Sequence, residues 1–427
     1  MVAAATLVTG CSAPQMPPPE AEARNVEPDP IVQVSDVDTD QILRGRQLVL
    51  EHACGGCHGG LADPTAENWL VGLTTPEQEF RIGPCAMDLE AEPCFRTRPR
   101  NLTPDNRTGL GRFSERQIFN ALRFGLRPGE TEDVEITSMT PGEGNFPEHP
   151  KYLAPPMPWP AWRYMPDEDL WAIAAYLKHG VKPVSNRVAD SEGPPDFWAS
   201  EYAGLPPYPP VAFPADREAE PADVADRAQV LRGRQVVLEH DCGGCHGGGV
   251  DPESERWLAG SQGLGDALPI GACIVDPTAT PCFVTHPANL SPDEDVGTGR
   301  YTERQIFNAL RFGLRPANAP DAEITSTVPG EGGFPMEPDY LAPSMPWTEW
   351  RHMSDDDLWA VIAYLRHGVK PVDNAVTVSD MPEGGWADQY TPDKIGTWPA
   401  PPFPTEREAA PAPDGSAIST ANPCEAR

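Results

Sequence analysis

The chain is written twice. Cys54-Gly-Gly-Cys57-His58 returns 188 positions later as Cys242-Gly-Gly-Cys245-His246, and the same offset recurs along the 427 residues. Leu43-Arg44-Gly45-Arg46-Gln47 becomes Leu231-Arg232-Gly233-Arg234-Gln235, and Cys85 and Cys94 become Cys273 and Cys282. "ERQIFNALRFGLRP" at 115–128 is letter-identical at 303–316, "LAPPMPW" at 153 answers "LAPSMPW" at 341, and "HGVKPV" at 179 recurs at 367. "FPADREA" at 213 is echoed by "FPTEREA" at 403, now with an offset of 190. A period this long excludes a solenoid, whose repeats run to about 20–50 residues. It implies tandem duplication of a domain of about 150 residues, an ordinary size for one hydrophobic core. The expected division is a leader and acidic Pro-rich linker at 1–30, a first domain at 31–185, a linker at 186–218, a second domain at 219–373 and a Pro-rich tail at 374–427.

Within each copy the periodicity is helical. Residues 39–53 read as an amphipathic helix with Ile42, Leu43, Val49 and Leu50 on or near one side, running into the cysteine motif. Ser114-Glu115-Arg116-Gln117 has the form of a capping box, with Ile118, Phe119 and Leu122 as the apolar face and Gly125 as the stop. A last helix is expected at 167–179, acidic at its start and carrying Lys178 and His179 at its end, as the helix dipole favours. No stretch alternates convincingly as a strand. The fold class predicted is mainly α: two tandem helical domains with long Pro/Gly-rich loops and linkers, which suits 53 Pro and 38 Gly.

Three chemistries use Cys-x-x-Cys. A structural zinc ion needs four ligands, commonly two close cysteine pairs, whereas Cys85 and Cys94 lie nine apart. A redox dithiol belongs near a strand–helix–strand pattern, and here a helix leads directly into the motif. The third is a c-type haem: two thiols at this spacing add to the two vinyl groups of one porphyrin, and the next histidine sits beneath the iron. Cys54, Cys57, Cys242 and Cys245 are therefore the predicted attachment points, and His58 and His246 the axial ligands. Two covalent haem c groups follow. A sixth ligand is sought in Met157 and Met345, each on a Pro-flanked loop before the last helix, since a thioether is a known haem ligand. Met165 and Met353 also recur, but they abut a helix start, where an apolar residue staples the cap.

With the Cys-x-x-Cys-His motif, "NLTPDNRTGLGRFSERQ" and "NLSPDEDVGTGRYTERQ", the "PPMPW" loop and the closing "PDEDLWAIAAYLKHGVKPV", the chain resembles class I-like c-type cytochromes. It is most similar to the diheme and multi-haem cytochrome c subunits of membrane-bound alcohol and sugar-acid dehydrogenases. The resemblance implies that Gly45 and Gly233 let the first helix cross closely against the last near Tyr176 and Tyr364. It also implies that the Asn-Leu-Thr/Ser-Pro loop lies against the porphyrin edge. Long insertions around 59–100 and 126–152 depart from the smallest members of that family.

Further residues have competing readings. Cys85 with Cys94, and Cys273 with Cys282, suit one disulfide per copy in an oxidising compartment, or buried thiols. Cys424 has no evident partner. His52, His240, His179 and His367 are alternative iron ligands; a histidine at a helix end more often complements the dipole. Arg123, Arg163, Arg311 and Arg351 are either partners for haem carboxylates or solvated side chains.

A net charge of −32 argues against nucleic acid and could steer a basic partner. The opening "MVAAATLVTGCSAPQ" resembles a bacterial lipoprotein signal in which Cys11 becomes the lipidated residue, implying export and a membrane-surface, periplasmic location. These features predict a non-enzymatic electron carrier between membrane and periplasmic redox proteins, possible partners including a membrane-bound dehydrogenase or respiratory complex. Two readings compete with it. One is a diheme redox enzyme of peroxidase or thiosulfate-oxidising type, which needs an open iron and two unlike haem sites. The other is a docking subunit of a dehydrogenase complex.

Overall fold

The computed structural model describes residues 38–75, 79–86, 90–193, 198–263, 267–274 and 278–410, with only the backbone described at 224–225 and 392–393. The predicted leader, Cys11 and Cys424 lie outside the described residues. The structure is mainly helical.

The first half contains α1 (Thr39–Glu51), a single turn α2 (Cys54–His58), α3 (Glu115–Phe124), the short α4 (Trp159–Trp162) and α5 (Asp167–Ala175). α5 runs on through a π-turn at Tyr176–Gly180. The same order recurs as α6 (Val224–Glu239), α7 (Cys242–His246), α8 (Glu303–Phe312), α9 (Trp347–Trp350) and α10 (Asp355–Ala363), with a π-turn at Tyr364–Gly368. α11 (Pro392–Ile395) follows. Among the described residues no helix is long and apolar enough to cross a membrane.

α1 packs on α5 and α6 on α10, because each buries one apolar side. Ile42, Leu48, Val49 and Leu50 enter the first core with Leu170, Ile173 and Tyr176. Leu43, expected on that side, is 41% exposed, because it falls just off the stripe that faces α5. The close crossing expected at Gly45 and Gly233 is present: a methyl group there would run into the carbonyls of Ala172 and Ala360. Arg44 locks the crossing through both oxygens of Asp169, each at 2.8 Å. The capping boxes form at Ser114/Gln117 and Thr302/Gln305, and Gly125 and Gly313 end their helices in the left-handed conformation.

Strands were not expected, yet each half has a small antiparallel hairpin. β1 (Phe80–Ile82) pairs with β2 (Phe95–Thr97), and β3 (Leu268–Gly271) with β4 (Cys282–Thr285). Runs of three or four residues are too short for alternation to register in the sequence. A disulfide ties each hairpin, Cys85–Cys94 and Cys273–Cys282, the first of the two readings given for these cysteines.

The halves meet around the ends of α1 and α6. Ala161 and Tyr164 of the first half belong to the second half's core, and Gln235 donates to the carbonyl of Tyr164.

Candidate cofactor site

The cysteine motif is swung off its helix by one left-handed residue. Ala53 (φ 55°) and Asp241 (φ 50°) lie two residues past the ends of α1 and α6 and cap the starts of α2 and α7. Aspartate tolerates this conformation better than alanine, for which it costs about 1–2 kcal/mol. The turn is held by the bonds of Gly56 to the carbonyl of Ala53 (2.9 Å) and of Gly244 to that of Asp241 (2.9 Å).

His58 and His246 are buried and fixed by one ring nitrogen. Nδ1 of His58 lies 2.7 Å from the carbonyl of Arg100, and Nδ1 of His246 lies 2.7 Å from that of Ala288. Burial holds both imidazoles below the ordinary histidine range, against the opposing pull of those carbonyls. A neutral ring donating from Nδ1 keeps the Nε2 lone pair free for a metal, the arrangement in which a second partner fixes the tautomer of a ligand.

In the second half Cys242, Cys245, His246 and Met345 all line one cavity of about 500 Å³. Met345 reaches it from a turn in which its amide donates to Ala342 (2.9 Å) and its carbonyl accepts from Trp347 (2.9 Å). Met157 occupies the same turn, bonded to Ala154 and Trp159 at 2.9 Å each. Met157 and Cys54 both pack at the edge of the first core, while Met165 and Met353 are buried within the two cores. Asn289 and Leu290 form part of the cavity wall. Asn289 is anchored by its amide to Val372 O (2.7 Å), and Asn101 in the first half to Val184 O (2.7 Å).

Burial pushes Cys54 and Cys242 up to about 12 and also raises Cys57 and Cys245, so the thiols are protonated at neutral pH. Among the described residues they join no cluster of metal-ligating side chains, and all four are unpaired. Two adjacent protonated thiols, a fixed imidazole and a thioether around a roomy cavity fit a porphyrin bound through its vinyl groups.

Of the alternative ligands, His240 lines the cavity. His179 Nε2 meets Glu115 at 2.6 Å, and His367 lies 3.8 Å from Glu303. His52 and His240 stack on each other across the halves, with each Nε2 buried and unbonded beside Glu51. The arginines nominated for porphyrin carboxylates are neither solvated nor in the cavity wall. Arg123 binds Arg163 O and Asp167, and Arg163 binds Pro206 O and the Tyr164 hydroxyl; Arg311 binds Arg351 O and Asp355, and Arg351 binds Ile395 O. The cationic residues that do line the cavity are Arg300 and Arg315. Sequence reasoning missed them; the signal was there in Arg315, which follows the helix-stopping Gly313 and so leaves the α8 surface for the loop.

No family model matches the chain. It is 28% identical over 285 residues to the gluconate 2-dehydrogenase cytochrome c subunit of Pantoea cypripedii, covering 66% of this chain and 53% of that protein. To the cytochrome c subunit of alcohol dehydrogenase (quinone) from Gluconacetobacter polyoxogenes it is 27% identical over 340 residues, 79% of this chain and 58% of the relative. The fructose dehydrogenase cytochrome subunit of Gluconobacter japonicus matches at 27% over 165 residues, 39% of this chain and 26% of the relative. The chain thus spans a little over half the length of the first two relatives. It is a homologue of dehydrogenase cytochrome c subunits.

Proposed function

We propose that the chain is an exported electron-transfer subunit carrying two covalent haem c groups, one in each half, and serving a dehydrogenase of the kind for which its relatives are named. The observation that carries this reading is the convergence of Cys242, Cys245, His246 and Met345 on one cavity. By the 188-residue correspondence, Cys54, Cys57, His58 and Met157 take the same roles in the first half.

Bound there, haem supplies one-electron chemistry. The thiols would hold it by thioether links, and His246 and Met345 would be its two axial ligands. A methionine ligand favours a raised potential. Because His246 and Met345 would both be committed to holding the haem, the site favours a carrier over a peroxidase-type enzyme. Arg300 on the cavity wall offers a guanidinium group to the porphyrin carboxylates, while Arg315 beside it is bonded through Nε to Tyr340 O (3.2 Å) and lies 3.4 Å from Asp339. The acidic surface suits attraction of a basic partner face. Membrane attachment through a lipid on Cys11 completes the reading.

Intact-mass spectrometry of the mature chain tests it. A mass increment of two haems is expected, and an increment of one or none overturns it. Co-purification from membranes tests the partner: a catalytic dehydrogenase subunit should accompany the chain.

A further inference from the structure

Two of the links between the halves differ in how far their polar atoms are satisfied. In the tail, residues 403–409 cross back to the first half, where Glu408 accepts from Arg46 Nε (2.6 Å) and from the Tyr176 hydroxyl (2.6 Å). That link is complete. The other lies past the ends of α1 and α6, where His52 stacks on His240 beside Glu51. His52 is 9% exposed and its Nε2 is buried with no partner, and His240 Nε2 is in the same state. Glu51, 2% exposed, is met by Gln47 Nε2 at 3.2 Å. One donor atom from each of the three side chains lies within 4.8 Å of the other two.

A buried polar atom without a partner is costly, and native folds leave few of them. Two such nitrogens on adjacent rings, next to a carboxyl group, call for something small that all three can hold. The surrounding charges set its sign. Arg44 is bonded to both oxygens of Asp169 at 2.8 Å, Arg232 to Asp357 at 2.6 Å, and Arg311 to Asp355. With Glu239, buried in the other half, these are the charged groups that act on the histidines and on Glu51. Three guanidinium groups thus face five carboxyl groups, and with both glutamates ionised two negative charges are left over. A divalent cation balances them, which a water molecule does not. Imidazole nitrogen selects zinc-like ions over magnesium or calcium, and two histidines with one carboxylate are a donor set that zinc takes.

We propose that Glu51, His52 and His240 form a binding site for a divalent transition-metal ion of zinc-like preference, which clamps the two halves together beside the cysteine motifs. The first half supplies two ligands and the second half the third, so the ion holds only when the halves are docked. The site uses none of the residues assigned to hold the porphyrin and stands apart from that reading. Rings in planes within 7° of each other cannot both aim at one ion. Zinc holds nitrogen at about 2.0–2.1 Å, so binding tilts the rings out of their stack and draws the three donors together. Burial raises the Glu51 carboxyl to about 8, so at neutral pH its proton leaves as the ion enters.

The test uses the full haem-loaded chain, stripped with EDTA, freed of the chelator and titrated with zinc in a large excess of magnesium, which occupies surface carboxylates. One zinc per chain is expected by metal analysis after gel filtration. His52→Phe/His240→Phe keeps two flat rings in the stack and removes the nitrogens. Its zinc affinity should fall by more than about a hundredfold, since even groups behind a ligand are worth about 10–100-fold. Its haem absorption spectrum should match wild type. Far-UV circular dichroism monitors folding. Zinc-edge X-ray absorption of the wild-type chain needs no variant and should show two imidazoles on the ion. No bound zinc, zinc retained by the folded double variant, or an edge spectrum without imidazole overturns the proposal. So does a changed haem spectrum in the folded variant, because the histidines would then serve the iron.

Discussion

His52 stacks on His240, its own counterpart 188 positions on, with ring centres 4.0 Å apart and planes within 7°. Each ring also meets a tryptophan edge-on, Trp162 at 5.9 Å and Trp350 at 6.0 Å. A residue that touches its own equivalent marks a local two-fold relation, the isologous contact usual between identical subunits. Here it lies two residues before Cys54 and Cys242, so the halves meet beside both proposed attachment points. Glu51 and Glu239, the neighbours of these rings, are buried with them.

This cluster sets a pH dependence with two opposed limbs. Burial holds His240 down to about 3 and His52 well below its ordinary 6.5. Stability from these rings is complete above the ordinary histidine range and lost as pH falls through it. Burial, only partly offset by Arg44 and Arg232, raises Glu51 to about 8 and Glu239 to about 7 from 4.5. Their contribution is present below 4.5 and lost as pH climbs to 7 and 8. The effects cancel between 4.5 and 6.5. Urea denaturation from pH 5 to 9 should therefore show the Glu51→Gln/Glu239→Gln chain losing less stability above pH 6.5 than wild type.

Gly45→Ala should destabilise the first half by about 1–3 kcal/mol, the usual result of overfilling a packed contact. Gly233→Ala should do the same to the second, because the added methyl meets a helix backbone in both cases. Chemical denaturation monitored by tryptophan fluorescence reads both, and a neutral result would mean that the crossing is looser than described.

Arg46 and Glu408 form a buried ion pair, with side chains 10% and 0% exposed. Removing the arginine alone leaves a charge stranded and should cost about 3–5 kcal/mol. Arg46→Leu combined with Glu408→Leu should cost less than Arg46→Leu by itself. Denaturation midpoints of the single and double variants decide this.

On the proposed function, Met345→Ala opens one iron position in the second half, and Met157→Ala one in the first. Each variant should bind carbon monoxide at one of two haems in reduced difference spectra, while wild type binds little. Prompt binding by wild type would instead favour the enzyme reading.

How far the sequence revealed this depended on whether a signal was local. The helix start at Ser114 and the cysteine motifs are written in a few adjacent letters and could be read directly, whereas the crossing at Gly45 came with the family resemblance. Arg123 and Arg311 were misassigned because a basic residue looks the same whether it serves a carboxylate or caps a distant carbonyl; only the fold brings Arg163 O or Arg351 O to it. The His52–His240 stack was out of reach for another reason. It joins equivalent positions, and a repeat tells which residues are alike without telling which ones touch. The hairpins were too brief to leave a periodic trace.

The tail's crossing has a bearing on how the protein is made. Residues 403–409 leave the ribosome after the whole of the second half, yet they seal Tyr176 and Arg46 in the first. The half synthesised earliest is thus finished last. Any chain interrupted before that segment would show its damage near the beginning of the polypeptide.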